Sequence, residues 1–176
     1  MSLLVRQLVR LLVAALLMLG RPAWADIAAE VQALLAKGDV NAALMRVETA
    51  LEGRPRDVQN RFMHAVVLME MKRDDEAFKA FTRLSQEYPE LPEPFNNIAL
   101  LHARAAQFEL ARQALEAALR NDPGHRAARI NLAEVHLLLA VQALDAAAAL
   151  SPLDARLARK LELARALVSS GALSAR

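Results

Sequence analysis

Small and apolar residues recur along this chain at helical spacing, and the arrangement repeats every 34 residues. Two columns keep this register: Ala43, Ala77 and Ala111, and Pro55, Pro89 and Pro123. Three more agree with them: Val47, Phe81 and Leu115; Ala50, Leu84 and Ala118; Val31, Ala65, Ala99 and Ala133. A small residue lets a neighbouring helix approach closely, and proline ends a helix because it has no N–H to donate. The pattern predicts pairs of packed helices, with each proline closing a second helix.

These spacings resemble the tetratricopeptide repeat (TPR), in which each unit is a pair of antiparallel helices. In that register the repeats are 24–57, 58–91 and 92–125, and a fourth begins at Arg126. Segments such as GDVNAALMRVETALEGRP, DDEAFKAFTRLSQEYP and FELARQALEAALRNDP are typical of second helices that run into the terminal proline. The resemblance implies an all-α fold, a right-handed superhelical solenoid of helical hairpins spanning residues 26–169.

The chain departs from the family pattern at two positions of the repeat. The fourth position is usually aromatic, and here it holds Ile27, Arg61, Phe95 and Arg129. The eighth position is usually glycine, and here it holds Val31, Ala65, Ala99 and Ala133. Neither change prevents stacking of the hairpins.

The fourth repeat, 126–152, is shorter than the others. Its segment QALDAAAALSP from Gln142 matches QALEAALRNDP from Gln113 at a shift of 29 rather than 34, so five residues are missing near the turn. No Gly or Pro lies between Ala127 and Leu150, which favours one continuous helix. A tight turn near 139–142 is the competing interpretation.

A capping helix is predicted over 153–169, followed by a flexible tail over 170–176. One apolar stripe marks its inner side: Leu153, Leu157, Leu161, Ala164 and Val168. Charged residues fall largely on its other face: Arg156, Arg159, Lys160, Glu162 and Arg165. Solenoids need such a polar-backed end because the last repeat otherwise exposes its stacking surface.

The first 25 residues have the order of a cleavable secretory signal. Arg6 and Arg10 precede an apolar run from Leu11 to Leu19, and an Ala-Trp-Ala tripeptide ends at Ala25. The run between Arg10 and Arg21 is about half the ~20 residues that a spanning helix needs. We therefore expect cleavage after Ala25, a periplasmic or secreted protein, and no stable membrane span afterwards.

Composition and charge narrow the function classes. The chain has 176 residues, 55% hydrophobic and 4% aromatic, which suits a single helical domain. Without residues 1–25 it has 19 basic and 20 acidic residues, so we expect no basic patch in the mature protein that would indicate binding to nucleic acid or to an anionic membrane surface. There is no cysteine, which excludes disulfides, thiolate nucleophiles and cysteine metal sites.

Catalytic and metal-binding signatures are missing from the sequence. Neither a zinc-protease motif, nor a nucleophile elbow, nor a phosphate-binding glycine loop is present. Of the four histidines, His102 and His136 are 34 residues apart, so a paired-imidazole metal site on adjacent first helices is one hypothesis. Packing at the eleventh position of the repeat is the simpler interpretation. We predict no enzymatic activity and no cofactor.

The TPR resemblance places several positions of each first helix on a concave groove. In the second repeat these include Phe62, Met63, Val66, Met69 and Glu70; in the third, Asn96, Asn97, Leu100 and Arg104; in the fourth, Ile130, Asn131, Glu134 and Leu138. Adaptable methionine and phenylalanine suit a peptide or amphipathic helix. The cationic carboxylate clamp of some family members is missing, since residues such as Gln59, Phe62 and Asn96 hold those positions.

The sequence thus predicts a non-catalytic exported adaptor that binds a peptide, helix or loop of another envelope protein. Self-association through the alanine-rich segment at 140–150 or an open solenoid end is the structural alternative. A metal-binding accessory role for His102 and His136 is the third hypothesis.

Overall fold

A computed structural model describes the backbone of residues 23–170 and the side chains of residues 27–169. The predicted signal peptide lies outside the described residues except for the backbone of its last three, and most of the predicted tail lies outside them too. Within the described range the chain forms helices and turns: α1 (Ala23–Ala36), α2 (Val40–Gly53), α3 (Val58–Glu70), α4 (Asp74–Glu87), α5 (Pro92–Arg104), α6 (Phe108–Asn121), α7 (Arg126–Leu150) and α8 (Ala155–Ser170). The all-α prediction is confirmed for this part of the chain.

The turns inside the first three repeats share one backbone conformation. Gly38, Lys72 and Ala106 have φ of 78°, 61° and 56°, so a left-handed residue recurs every 34 positions. The residue after it closes the helix, because Asp39 N–H donates to Leu34 O at 3.0 Å and Gln107 N–H donates to His102 O at 2.9 Å. These are Schellman caps, which usually carry glycine. Only the first turn has it.

The proline column lies in the connections between repeats. Each second helix ends two residues before its proline, at Gly53, Glu87 and Asn121. A backbone hydrogen bond then spans the proline in each turn: Asp57 N–H to Arg54 O at 3.1 Å, Leu91 N–H to Tyr88 O at 3.2 Å, and His125 N–H to Asp122 O at 3.1 Å. Proline therefore occupies the second position of a β-turn, where its fixed φ is favourable, rather than the helix end itself.

The chain forms two compact units, and the boundary falls between Glu70 and Met71, inside the second repeat. In the N-terminal unit α1 contacts α2 and α3, and α2 also contacts α3. Its core contains four fully buried residues of the repeat columns: Val31, Ala43, Val47 and Ala65.

Polar contacts also hold the N-terminal unit together. Asp39 caps α2 by accepting from Ala42 N–H, and Asp57 caps α3 by accepting from Asn60 N–H. An ion pair between Arg46 and Glu30 joins α2 to α1.

The C-terminal unit contains α4 to α8. Helix α6 packs between α5 and α7, α4 contacts α5, and α8 contacts α7. One buried cluster joins α5, α6 and α7: Ala99, Ala103, Ala111, Leu115, Ala118, Ala128 and Val135. Because Ala43, Ala77 and Ala111 are all 0% exposed, the alanine column does mark sites of close helix packing.

Helix α7 runs without a break for 25 residues, so the competing tight turn near 139–142 is wrong. Ala140 and Val141 occupy the column of the left-handed residue and the residue after it. Residue type does not explain the difference, because Ala106 holds the same column in the third repeat and is left-handed. The fourth repeat differs in lacking five residues near the turn, and there the helix continues. The 34-residue register predicts that Ala133 packs against a neighbouring helix as Ala99 does. This is wrong for Ala133, which is exposed, whereas Ala99 is 1% exposed.

Helix α8 contacts α7 and lies where the sequence predicts a capping helix, at Ala155–Ser170 rather than 153–169. Leu161 is its buried residue, and Leu157, Ala164 and Val168 are half-buried on the same side. Arg165 donates to Asp145 on α7 at 2.6 Å and to Glu162 at 2.8 Å. Hydrogen bonding to Glu162, with the charge of Asp145, raises the pKa of Arg165 above its usual value. Leu163 and Leu167, both 58% exposed, were not anticipated on the outer side.

By length and composition, one of the described helices could cross a membrane. It is α7, Arg126–Leu150. Its first half nevertheless supplies Ala128, Asn131 and Val135 to the helical core.

Candidate binding surface

Burial divides the thirteen predicted groove residues into two groups. Four are at most 7% exposed: Met63, Met69, Asn96 and Asn131. The prediction that these four line an open groove needs correction, since a buried side chain offers a partner almost no contact area. The other nine are half-buried or exposed: Phe62, Val66, Glu70, Asn97, Leu100, Arg104, Ile130, Glu134 and Leu138. Their role in binding stays a prediction.

In the N-terminal unit, α3 presents one accessible row. Phe62, Val66 and Glu70 are spaced by four residues, so they lie on the same side of the helix, and each is half-buried. Met63 and Met69 belong to the buried side. The row contains one aromatic, one aliphatic and one acidic side chain.

In the C-terminal unit, α5 and α7 present two accessible rows on contacting helices. The α5 row contains Asn97, Leu100 and Arg104, and the α7 row contains Ile130, Glu134 and Leu138. Ile130 is 37% exposed, and Leu100 and Leu138 are half-buried. Asn97 donates to Glu93 O at 2.9 Å, a bond within its own helix that uses one of its two amide hydrogens. We call these six residues the α5–α7 surface.

A buried amide pair holds the two helices of this surface together. Asn131 Nδ2 donates to Asn96 Oδ1 at 2.9 Å, and Asn131 is 0% exposed. The Oδ1 of Asn131 is buried and accepts no hydrogen bond from the described residues. The bond links α5 to α7, and because it is buried it is electrostatically stronger than the same bond in water. The asparagines position the surface rather than forming it.

Arg104 links the α5 row to a cavity that sequence reasoning did not identify. Its Nη1 donates to Asp74 Oδ1 at 3.1 Å, which ties the end of α5 to the start of α4. A cavity of about 310 Å³ lies here, with Phe78, His102 and Gln107 also in its lining. Arg104 therefore forms an ion pair within the unit, and its positive charge is not available to a partner alone.

His102 is fixed by two neighbours in this cavity. Its Nδ1 lies 2.7 Å from Gln107 Oε1, and since an amide oxygen only accepts, the ring donates there. Phe78 meets the ring edge-on, with centroids 5.2 Å apart and planes at 73°. The repeat's turn brings Gln107 to His102, a contact that the 34-residue register alone does not indicate.

The paired-imidazole hypothesis concerns His102 and His136. His136 is exposed on α7. The residues that the structure describes contain no group of three or more His, Cys, Asp or Glu side chains that could hold a metal ion. A zinc site of ordinary strength needs three or four protein ligands.

No protein-family model matches this sequence, and no curated protein matches it either. Solved structures do match. The first TPR domain of human RPAP3 superimposes with a TM-score of 0.58 at 13% identity, covering 65% of this chain and 90% of that domain. A tetratricopeptide repeat protein from Parabacteroides merdae gives 0.58 at 18% identity, covering 87% of this chain and 62% of that one.

The chain has the TPR fold. A third structure, the second TPR domain of human RPAP3 in complex with the HSP70 peptide SGPTIEEVD, superimposes with a TM-score of 0.53 at 15% identity, covering 61% and 89% of the two chains. In the TPR register, α5 and α7 are first helices of consecutive repeats, and α6 is the second helix between them. The continuous α7 is the point at which this chain departs from a regular TPR.

Proposed function

We propose that this protein is a non-catalytic adaptor that holds a peptide, helix or loop of another cell-envelope protein on the α5–α7 surface. The observation that carries the proposal is the pair of accessible rows on two contacting first helices. Leu100, Ile130 and Leu138 supply apolar area, while Asn97 and Glu134 supply polar groups beside it. A side-chain-anchored segment needs this combination.

The buried asparagine pair supports the proposal by making the surface rigid. A binding face that is already ordered loses less conformational entropy when a partner arrives. The bond between Asn96 and Asn131 crosses from α5 to α7 directly under the rows. The α5–α7 surface is therefore organised before binding.

The peptide complex of the RPAP3 domain supports the class of partner, because that protein uses the same fold to hold a short peptide. The chemistry proposed here is different. That peptide carries acidic residues near its end, whereas this chain has a mixed apolar and amide surface whose one arginine, Arg104, pairs with Asp74. We expect a ligand anchored by aliphatic side chains rather than by a terminal carboxylate.

The signal-like N-terminus supports the envelope as the location. The order of positive, apolar and small residues in 1–25 is that of a cleaved secretory signal. Sequencing the N-terminus of the protein recovered from its native host tests this step. A mature chain beginning at Asp26 supports export, and an intact Met1 in the cytoplasm overturns it.

The binding proposal is tested by site-specific crosslinking in the host. A photo-reactive residue at position 130 should capture one defined protein, whereas the same residue at position 110 should not. Leu110 is the matched control because it is 45% exposed on α6 of the same unit.

A substitution series completes the test. Leu100→Ser with Ile130→Ser should weaken capture at least tenfold, while Leu110→Ser should leave it unchanged, with circular dichroism showing that both variants stay folded. Equal capture at positions 110 and 130, or capture that survives the double substitution, overturns the α5–α7 surface as the binding site.

A further inference from the structure

The outer side of α8 carries an exposed face that neither the core nor the α5–α7 surface uses. At 100° per residue, five residues fall within a sector of about 100°. They are Arg156, Arg159, Lys160, Leu163 and Leu167, which we call the outer α8 face. The less exposed residues of the helix, around Leu161, lie about 120° away and face α7.

The three cations of this face have no acidic partner among the described residues. Glu162, the one acid of α8, accepts from Arg165, which also binds Asp145. No carboxylate in the described part of the chain lies within ion-pair distance of Arg156, Arg159 or Lys160. The face therefore presents three uncompensated positive charges beside two leucines that are each 58% exposed.

The end of α7 also exposes apolar residues. Residues 146–150, AAAAL, are all exposed, and Leu150 is 89% exposed. The two helices are joined by a short loop over residues 151–154, so this end of the unit combines exposed aliphatic side chains with cations. A soluble protein ordinarily covers or interrupts such a combination.

The charges decide among the possible occupants. A two-fold pairing of this face with a second copy would bring cations together with no acid on the face to compensate them. An occupant must instead supply negative charge and accept aliphatic side chains at the same time. A bilayer surface with anionic headgroups does both over an extended area.

We propose that the outer α8 face docks the protein on an anionic membrane surface, with Leu163 and Leu167 entering the headgroup boundary and the three cations contacting lipid phosphates. The helix lies on the surface and does not cross it. Its inner side stays packed on α7, and the first half of α7 stays packed on α5 and α6. This surface is separate from the α5–α7 surface, so either proposal stands if the other fails.

Vesicle binding tests the proposal with the full chain and, in parallel, with the chain from Asp26, so that any contribution of residues 1–25 is measured by difference. The probe is phosphatidylcholine vesicles with and without phosphatidylglycerol. Each cation near an anionic surface changes the partition coefficient about fivefold, so Arg156→Gln, Arg159→Gln and Lys160→Gln together should weaken binding about a hundredfold. Added salt should also weaken the binding of the unsubstituted protein to vesicles that contain phosphatidylglycerol.

Two further variants make the test specific. The control triple Lys79→Gln, Arg83→Gln and Arg120→Gln removes three exposed cations elsewhere in the same unit and should change binding little. The double variant Leu163→Ser and Leu167→Ser should weaken binding without removing its salt dependence. Circular dichroism and light scattering verify that each variant is folded and monomeric.

Each remaining outcome has one interpretation. Equal losses for the two triples, equal binding to both vesicle types, or no binding by either chain overturns the proposal. A photo-reactive residue at position 163 should yield lipid adducts in membranes. A discrete protein adduct, or a dimer of this chain, would instead assign the face to a protein partner and overturn the membrane proposal.

Discussion

The third and fourth repeats begin alike and end differently. In the third, α5 ends at Arg104, Ala106 adopts a positive φ, and α6 folds back, so Ala99 is buried. In the fourth, α7 continues through Ala140, and the equivalent Ala133 is exposed. The difference teaches that a repeat position is buried by the helix that returns over it and not by its own residue type.

The largest expected contrast is between two leucines that the shift of 29 aligns. Leu115 on α6 is 0% exposed, whereas Leu144 on α7 is half-buried. Leu115→Ala should lower the free energy of unfolding by about 2–5 kcal/mol because it leaves a cavity. Leu144→Ala should cost roughly half as much or less, since solvent or neighbouring side chains can fill the space. Urea titrations followed by circular dichroism measure both; equal costs would mean that the second half of α7 is as well packed as α6.

A smaller contrast is expected at the alanine column. Ala99→Leu should cost about 1–3 kcal/mol through overpacking against α6. Ala133→Leu should stay within about 0.5 kcal/mol, as exposed substitutions do. Thermal melts of the two variants measure the contrast. If Ala133→Leu destabilises as much as Ala99→Leu, a helix covers position 133 and the comparison fails.

The smallest effect has opposite signs at the two turn positions. Ala106→Gly should stabilise by about 1 kcal/mol, because alanine at a φ of 56° carries the left-handed penalty that glycine avoids. Ala140→Gly should destabilise by about 1 kcal/mol, since glycine is a poor residue inside a helix. Lys72→Gly, with a φ of 61°, is a second test of the stabilising direction. The same sign at positions 106 and 140 would show that both residues have the same backbone conformation, either both helical or both left-handed.

Much of the fold could be predicted because repeated packing leaves repeated residues. The columns through Ala43 and Val47 correctly marked the buried side of the second helices. The position of the prolines was predicted correctly, but their role was not. A β-turn after the helix and a helix ended by proline place the residue at nearly the same point in the sequence.

The candidate surface was predicted less well than the fold. Family positions placed the groove on α3, α5 and α7, which stays a prediction, and they did not separate Asn97, which is half-buried, from Asn96, which is buried. The ion pair between Arg104 and Asp74 also escaped the sequence, because the two residues are thirty apart and meet only through the packing of α4 on α5.

The outer α8 face was also missed by the sequence analysis. The balance of 19 basic and 20 acidic residues after residue 25 indicated no basic patch, although three exposed cations lie together on this helix. The sequence indicated a polar back for the capping helix, and Arg156, Arg159 and Lys160 are indeed exposed there. It did not indicate that Leu163 and Leu167 share that side, because the apolar stripe on the inner side already satisfied the pattern of an amphipathic helix.

By itself the sequence determined that this protein is made of helices, where most of them turn, and which residues of each second helix are buried. Those properties depend on local propensity and on spacing along one helix, which the order of residues records directly. Only the tertiary structure decided that α7 runs straight, that Ala133 is exposed while Ala99 is not, and that Asn131 bonds to Asn96. These depend on which segments meet in space, and a single added or missing turn changes every contact after it.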